Sequence, residues 1–154
     1  MNMIKNKKGL TLVELIVVIA IMAVLAGTIA GVTVSQLDKQ KNNNALSEVK
    51  ILMKNFKNFM LDYEHRDNIL SATTAAAAKA AGESAMTAFK NEATSSENVV
   101  FVDSLDEAKA GKHMFNTSVS ATVSNGKVIV TFTIAAKKVG TIGSDPTESW
   151  DYTE

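Results

Sequence analysis

The chain has no cysteine, one proline, one tryptophan and two histidines. Without cysteine there is no disulfide, no thiol for a lipid anchor and no zinc–thiolate site. His65 and His113 are too few for a histidine-rich metal centre, so no metal site and no cofactor is expected. The only proline is Pro146, which leaves nothing to break a helix over most of the chain. No excess of either charge exists: 16 basic residues face 16 acidic ones, which argues against nucleic-acid binding by bulk charge. A nucleophile–base pair, a metal cluster and a phosphate loop are all missing from the pattern, so enzymatic function is not expected.

What is present is a long apolar run near the N-terminus. Lys5, Lys7, Lys8 and Gly9 precede it, and between them and Asp38 the one ionisable residue is Glu14. Leu15 to Val34 is 20 residues, which as a helix matches a bilayer core of about 30 Å. Three readings fit. One is a plain membrane anchor. Another is an ordinary secretory signal cleaved after Val24-Leu25-Ala26, although an acid in the apolar core is unusual there. The third is a leader cut after Gly9 that leaves the apolar helix on the product. Loss of Lys5, Lys7 and Lys8 with such a leader would leave 13 basic residues against 16 acidic ones, a mildly acidic product.

Gly9-Leu10-Thr11-Leu12-Val13-Glu14-Leu15 resembles the processing site of type IV pilins and pseudopilins, the class III signal peptide. The resemblance implies cleavage between Gly9 and Leu10 by a membrane aspartyl prepilin peptidase, then N-methylation of Leu10. It implies an assembly role for Glu14, beside Thr11, in pairing with the terminal amine of a neighbouring subunit. Leu10 stands where the family usually has phenylalanine. The physical case is independent: a lone carboxylate near the interface can snorkel, but in a bundle of identical helices an offset amine is a better partner. A pair of that kind adds little net stability and discriminates against wrong registers.

Gly27 and Gly31 lie four apart in the apolar run. Small residues at that spacing allow close helix approach in a membrane, and each glycine weakens the helix by about 1 kcal/mol relative to alanine. Gly31 stands near the place where pilins often carry a bending proline; simple tolerance of glycine is the other reading. After the polar stretch Asp38–Asn44, apolar residues recur at Leu46, Val49, Met53, Phe56, Met60 and Tyr63, at helical steps of 3 and 4. One helix from Leu10 to about Tyr63 would be about 80 Å long. The stripe is too short for a coiled coil and reads instead as a helix laid on a sheet.

The rest reads as a small head. Residues 71–93 are alanine-rich and predict a second helix with a break at Gly82, attached shallowly through Met86 and Phe89. Val99–Val102 reads as a strand, followed by capping-box spacing at Ser104 to Glu107 and a stop at Gly111. Two alternating runs around Asn125-Gly126 predict a hairpin that pairs Val123 with Val128, Ala121 with Val130 and Val119 with Phe132 on one apolar face. The residues after Val139 read as a loop, which pilins commonly close with a disulfide. Asp145, Glu148, Asp151 and Glu154 match no calcium loop and read as a solvated acidic tail.

The expected class is α+β, with a long apolar N-terminal helix whose second half packs on a small antiparallel sheet. The divisions are a leader at 1–9, an apolar helix at 10–35, its amphipathic half at 36–63, a helical connection at 64–98, and a sheet with its loop at 99–154. The resemblance implies a homo-oligomeric filament, with minor pilins, a prepilin peptidase and an assembly machinery including an ATPase as partners. The precursor would sit in the cytoplasmic membrane with its lysines inside, before export into an extracellular pilus; a pseudopilin or a non-polymerising anchored protein are the alternatives. Mass spectrometry of the mature chain is expected to find N-methylated Leu10 as its first residue. A start at Gly27 would instead indicate an ordinary signal, and an intact Met1 an anchor.

Overall fold

The apolar periodicities resolve into seven elements in a computed structural model that describes residues 11–94, 99–105, 113–139 and 143–153. Helix α1 is Leu12–Asp62, α2 is Asp67–Leu70 and α3 is Ala75–Ala93. Strands β1 Val99–Phe101, β2 His113–Ser124, β3 Lys127–Ala136 and β4 Thr147–Tyr152 follow. The fold is α+β. The chain divides into two compact units at Lys39 and Gln40.

The first unit is the apolar part of α1. Helix geometry continues through Gly27 and Gly31, so the helix does not break at Gly31. The polar side chains of this stretch turn inward: Thr28 Oγ1 donates to the Leu25 carbonyl at 3.0 Å and Thr33 Oγ1 to the Ile29 carbonyl at 2.8 Å. Hydroxyls satisfied by their own helix can enter an apolar medium at little cost.

The second unit is built on the hairpin. Asn125 (φ 53°) and Gly126 (φ 77°) both adopt positive φ, as a two-residue type I′ turn requires. That turn sets the register Val123↔Val128, Ala121↔Val130 and Val119↔Phe132. On β3 the inner side chains Val128, Val130, Phe132, Ile134 and Ala136 are all buried. Val123 differs from the expected core position: it shares the apolar face but is 45% exposed, because it stands beside the turn at the open end of the hairpin. Val119 and Ala121 are half-buried and pack against the core.

Three expectations are corrected. The sheet is mixed, not antiparallel throughout, with order β1-β2-β3-β4 and β1 parallel to β2. The connection between those strands is long enough to return the chain to the start of β2. Asn116 fixes the exit from β1, its Nδ2 donating to the carbonyls of Val102 (2.9 Å) and Asp103 (2.8 Å). The residues after Pro146 form strand β4 and not a loop; Pro146 sits just ahead of it and accepts from Ala136 N through its carbonyl at 2.9 Å. A proline is tolerated at the start of an edge strand, and β4 is one. Finally, α3 runs unbroken through Gly82, and it is not shallow: Ala78, Gly82, Ala85, Met86 and Phe89 are buried. A Cβ on Gly82 would stand 3.0 Å from Cγ1 of both Val119 and Val130. Gly82 is therefore a point of close helix–sheet approach rather than a breaker. Thr74 starts the helix as its N-cap, accepting from Ala77 N at 3.2 Å.

From α1 the core receives Val49, Leu52, Met53, Phe56 and Met60. Phe56 is fully buried, with ring centroids 4.7 Å from Phe132, 5.2 Å from Phe89 and 6.0 Å from Trp150. Tyr63 lies just past the helix end, half-buried, with its ring 5.3 Å from Phe59. Leu46 is half-buried beside Pro146 and Thr147, outside the main cluster. Its share of the core is taken by Leu52, which lies off the 3-and-4 stripe and is 8% exposed.

Hydrogen bonds hold the β3–β4 connection that a disulfide would otherwise close. Asn42 brackets the backbone of Val139, accepting from its N at 2.6 Å and donating to its carbonyl at 3.2 Å. Lys138 donates its backbone N to Asp145 Oδ1 (3.0 Å) and its Nζ to the Gly143 carbonyl (2.8 Å). Asp151 accepts from Thr131 Oγ1 at 2.6 Å across β3 and β4. Two of the tail's acids are thus engaged in strand and loop structure; Glu154, like Glu107, Gly111 and Gly140, lies outside the described residues.

Trp150, the single tryptophan, stacks at 5.9 Å on Phe132 and so reports on the core by fluorescence. In denaturant titrations of the detergent-solubilised full chain, Phe56→Ala is expected to lose about 3–5 kcal/mol of stability. Gly82→Val is expected to lose about 1–3 kcal/mol by overpacking against Val119 and Val130. A neutral result for Gly82→Val would mean that α3 does not press on the sheet there.

Candidate functional site

The beginning of α1 carries the one charged group of the described apolar segment. Leu15 N donates to the Thr11 carbonyl at 3.2 Å, closing the first helical turn and making Thr11 the N-cap. Thr11 N donates to Glu14 Oε2 at 2.8 Å, and Glu14 N donates to Thr11 Oγ1 at 3.4 Å. This reciprocal arrangement is a capping box: side chains three residues apart each satisfy a backbone N–H that the helix leaves without an internal acceptor. The negative charge also sits at the positive end of the helix dipole.

In the sequence the box stands as Thr-x-x-Glu, the same spacing as Ser104 to Glu107. It binds the carboxylate at the head of an apolar helix into that helix's own first turn. Among the described residues the Glu14 carboxylate accepts from the Thr11 backbone N–H through Oε2. Gly9 and Leu10, the expected cleavage pair, lie outside the described residues.

Along the rest of this segment the large apolar side chains face outward. Leu12, Val13, Leu15, Ile16, Ile19, Met22, Val24, Ile29 and Val32 are each at least half exposed. A Cβ at Gly27 or Gly31 would meet nothing within 4 Å, so packing inside the chain does not require glycine at either place. The described helix is long and apolar enough to cross a membrane.

Against known families, a model described as the prokaryotic N-terminal methylation motif matches residues 4–30. That motif corresponds to the class III signal peptide found in type IV pilins and pseudopilins. Gly9, Leu10, Thr11, Glu14 and Gly27 fall inside the match, and Gly31 lies one residue past it. No curated protein and no solved structure matches the chain. The motif together with the apolar helix supports a type IV pilin or pseudopilin precursor anchored in a membrane. It implies processing by a prepilin peptidase and assembly into a pilus or pseudopilus.

Thr11→Ala removes the hydroxyl half of the capping box and keeps the Thr11 amide. It is expected to weaken the first turn by about 1 kcal/mol. Amide hydrogen exchange at Val13 and Glu14 in detergent micelles should then accelerate about fivefold, with exchange in β3 unchanged. Equal exchange at those two amides would show that the box does not hold the helix end.

Proposed function

We propose that the chain is the precursor of a type IV pilus subunit, cleaved after Gly9, methylated at Leu10, stored in the cytoplasmic membrane and polymerised into an extracellular filament. The observation that carries the reading is a single carboxylate, Glu14, at the head of a helix whose apolar side chains are exposed from Leu12 to Leu37. Such a surface needs a cover, and lipid and then other copies of the same helix supply it in turn. On this reading the chain catalyses nothing; it is the peptidase's substrate, and an assembly ATPase supplies the work of extraction.

Cleavage between Gly9 and Leu10 leaves the capping box whole, because Thr11 N–H remains a peptide amide in the product. On this reading Glu14 caps its own helix and, in the filament, also pairs with a neighbour's methylated amine. Own-helix capping and inter-subunit pairing then act together instead of competing. Gly27 and Gly31, which nothing within the chain holds to glycine, allow close approach of a second helix. A pseudopilus uses the same N-terminus, and filament length under the electron microscope separates it from a surface pilus.

Two substitutions separate charge from capping. Glu14→Gln keeps a capping-box acceptor but removes the charge, whereas Glu14→Ala removes both. Both variants are expected to insert and be processed, and both to reduce surface filaments by at least about a hundredfold. If Glu14→Gln assembled like the unaltered chain, pairing with the amine would be refuted and capping alone would explain the acid.

A further inference from the structure

A groove of about 860 Å³ runs along one flank of α1, between that helix, the end of α3 and the sheet. Its floor is apolar, formed by Leu52, Phe59, Phe89 and Phe115, Glu48, Asp62 and Glu92 stand on its rim, and no basic residue lines it among the described residues. Glu48, Asn55 and Asp62 lie seven residues apart, so they share that flank. Ile51, at the groove's outer lip, is 58% exposed.

The opposite flank of the same helix has the complementary chemistry. Lys50, Lys54 and Leu61 stand at positions i, i+4 and i+11 and project from one side. Leu61 is 67% exposed, and among the described residues neither Lys50 nor Lys54 forms an ion pair. Lys57, on the same flank, is already committed, with its Nζ 5.5 Å from the centre of the Trp150 ring. An exposed leucine flanked by two lysines matches an apolar floor with an acidic rim in both of its chemical features.

We propose that this groove receives the Lys50–Lys54–Leu61 flank of a second copy of the chain. The two surfaces differ and lie on different sides of one helix, so the contact is heterologous. Each copy offers a groove to one neighbour and a lysine flank to another, which propagates instead of closing on a dimer. The inference rests on the filament reading above and adds the head-to-head contact that orders subunits once their apolar helices have bundled. Single exposed ion pairs are weak, but this one recurs at every subunit, and like charges placed there oppose every addition.

Charge reversal in the full chain, expressed in its native host, tests the contact. Lys54→Glu and Asp62→Lys are each expected to reduce filaments at least about tenfold, while membrane levels and Trp150 fluorescence stay normal. The double variant Lys54→Glu/Asp62→Lys is expected to recover at least about half of the filaments. Because the chain has no cysteine, a Lys54→Cys/Asp62→Cys variant gives an independent readout. On mild oxidation of filaments the double cysteine variant should yield a ladder of multimers, and each single variant only monomers. Single reversals that assemble normally, a double reversal no better than the singles, or dimers from a single cysteine variant would each overturn the groove contact. If the unaltered chain makes no filament of any length, the filament reading itself fails, which these variants cannot mimic.

Discussion

Apolar surface that the chain does not cover itself is the constraint on which the rest of this structure depends. Helix α1 is one continuous element, yet its two halves satisfy the hydrophobic effect differently. From Val49 to Met60 its apolar face is buried by the sheet and by α3, with Phe56 at the centre of an aromatic group that includes Phe89, Phe132 and Trp150. From Leu12 to Leu37 comparable side chains stand open. Burying one of them is worth about 1.5–3 kcal/mol, so the segment cannot be at rest in water. Its cover has to come from outside the chain.

That demand explains the polar chemistry left in the segment. Thr28 and Thr33 return their hydroxyls to their own backbone, and Glu14 is bound into the first helical turn by Thr11. These polar groups are thus tolerable in an apolar medium, and Glu14 alone among the described residues from Leu12 to Leu37 carries a charge. Apolar packing is indifferent to axial sliding; on the proposed reading, a carboxylate that pairs with a neighbour's amine is not. On the proposed reading, bulk cohesion and positional information fall to different residues of the same helix.

The sequence disclosed the strongly periodic parts of this design. The long helix followed from an apolar run with no proline, and the hairpin register from Asn125-Gly126 between alternating strands. The methylation motif was legible as seven consecutive residues. Less was visible where packing overrides local pattern. Gly82 looks like a breaker in isolation, but the approach of Val119 and Val130 makes its missing side chain the reason α3 can sit so close. The parallel pairing of β1 depends on where a long connection returns, which three apolar residues cannot encode. Strand β4 has only Trp150 and Tyr152 as apolar markers, and tertiary contact with Phe132 makes it a strand. The Thr11–Glu14 box was present in the letters and was obscured by the assembly role that the motif implies for the same glutamate.

The need for an external cover can be measured without reference to any partner's identity. A single cysteine introduced at Ile19 of this cysteine-free chain can be probed with a maleimide that does not cross membranes. Protection is predicted in intact cells and in sheared filaments, with full labelling once an organic solvent with denaturant disperses and unfolds them. Rapid labelling of either undispersed form would show the apolar half of α1 standing in water, and would contradict this account.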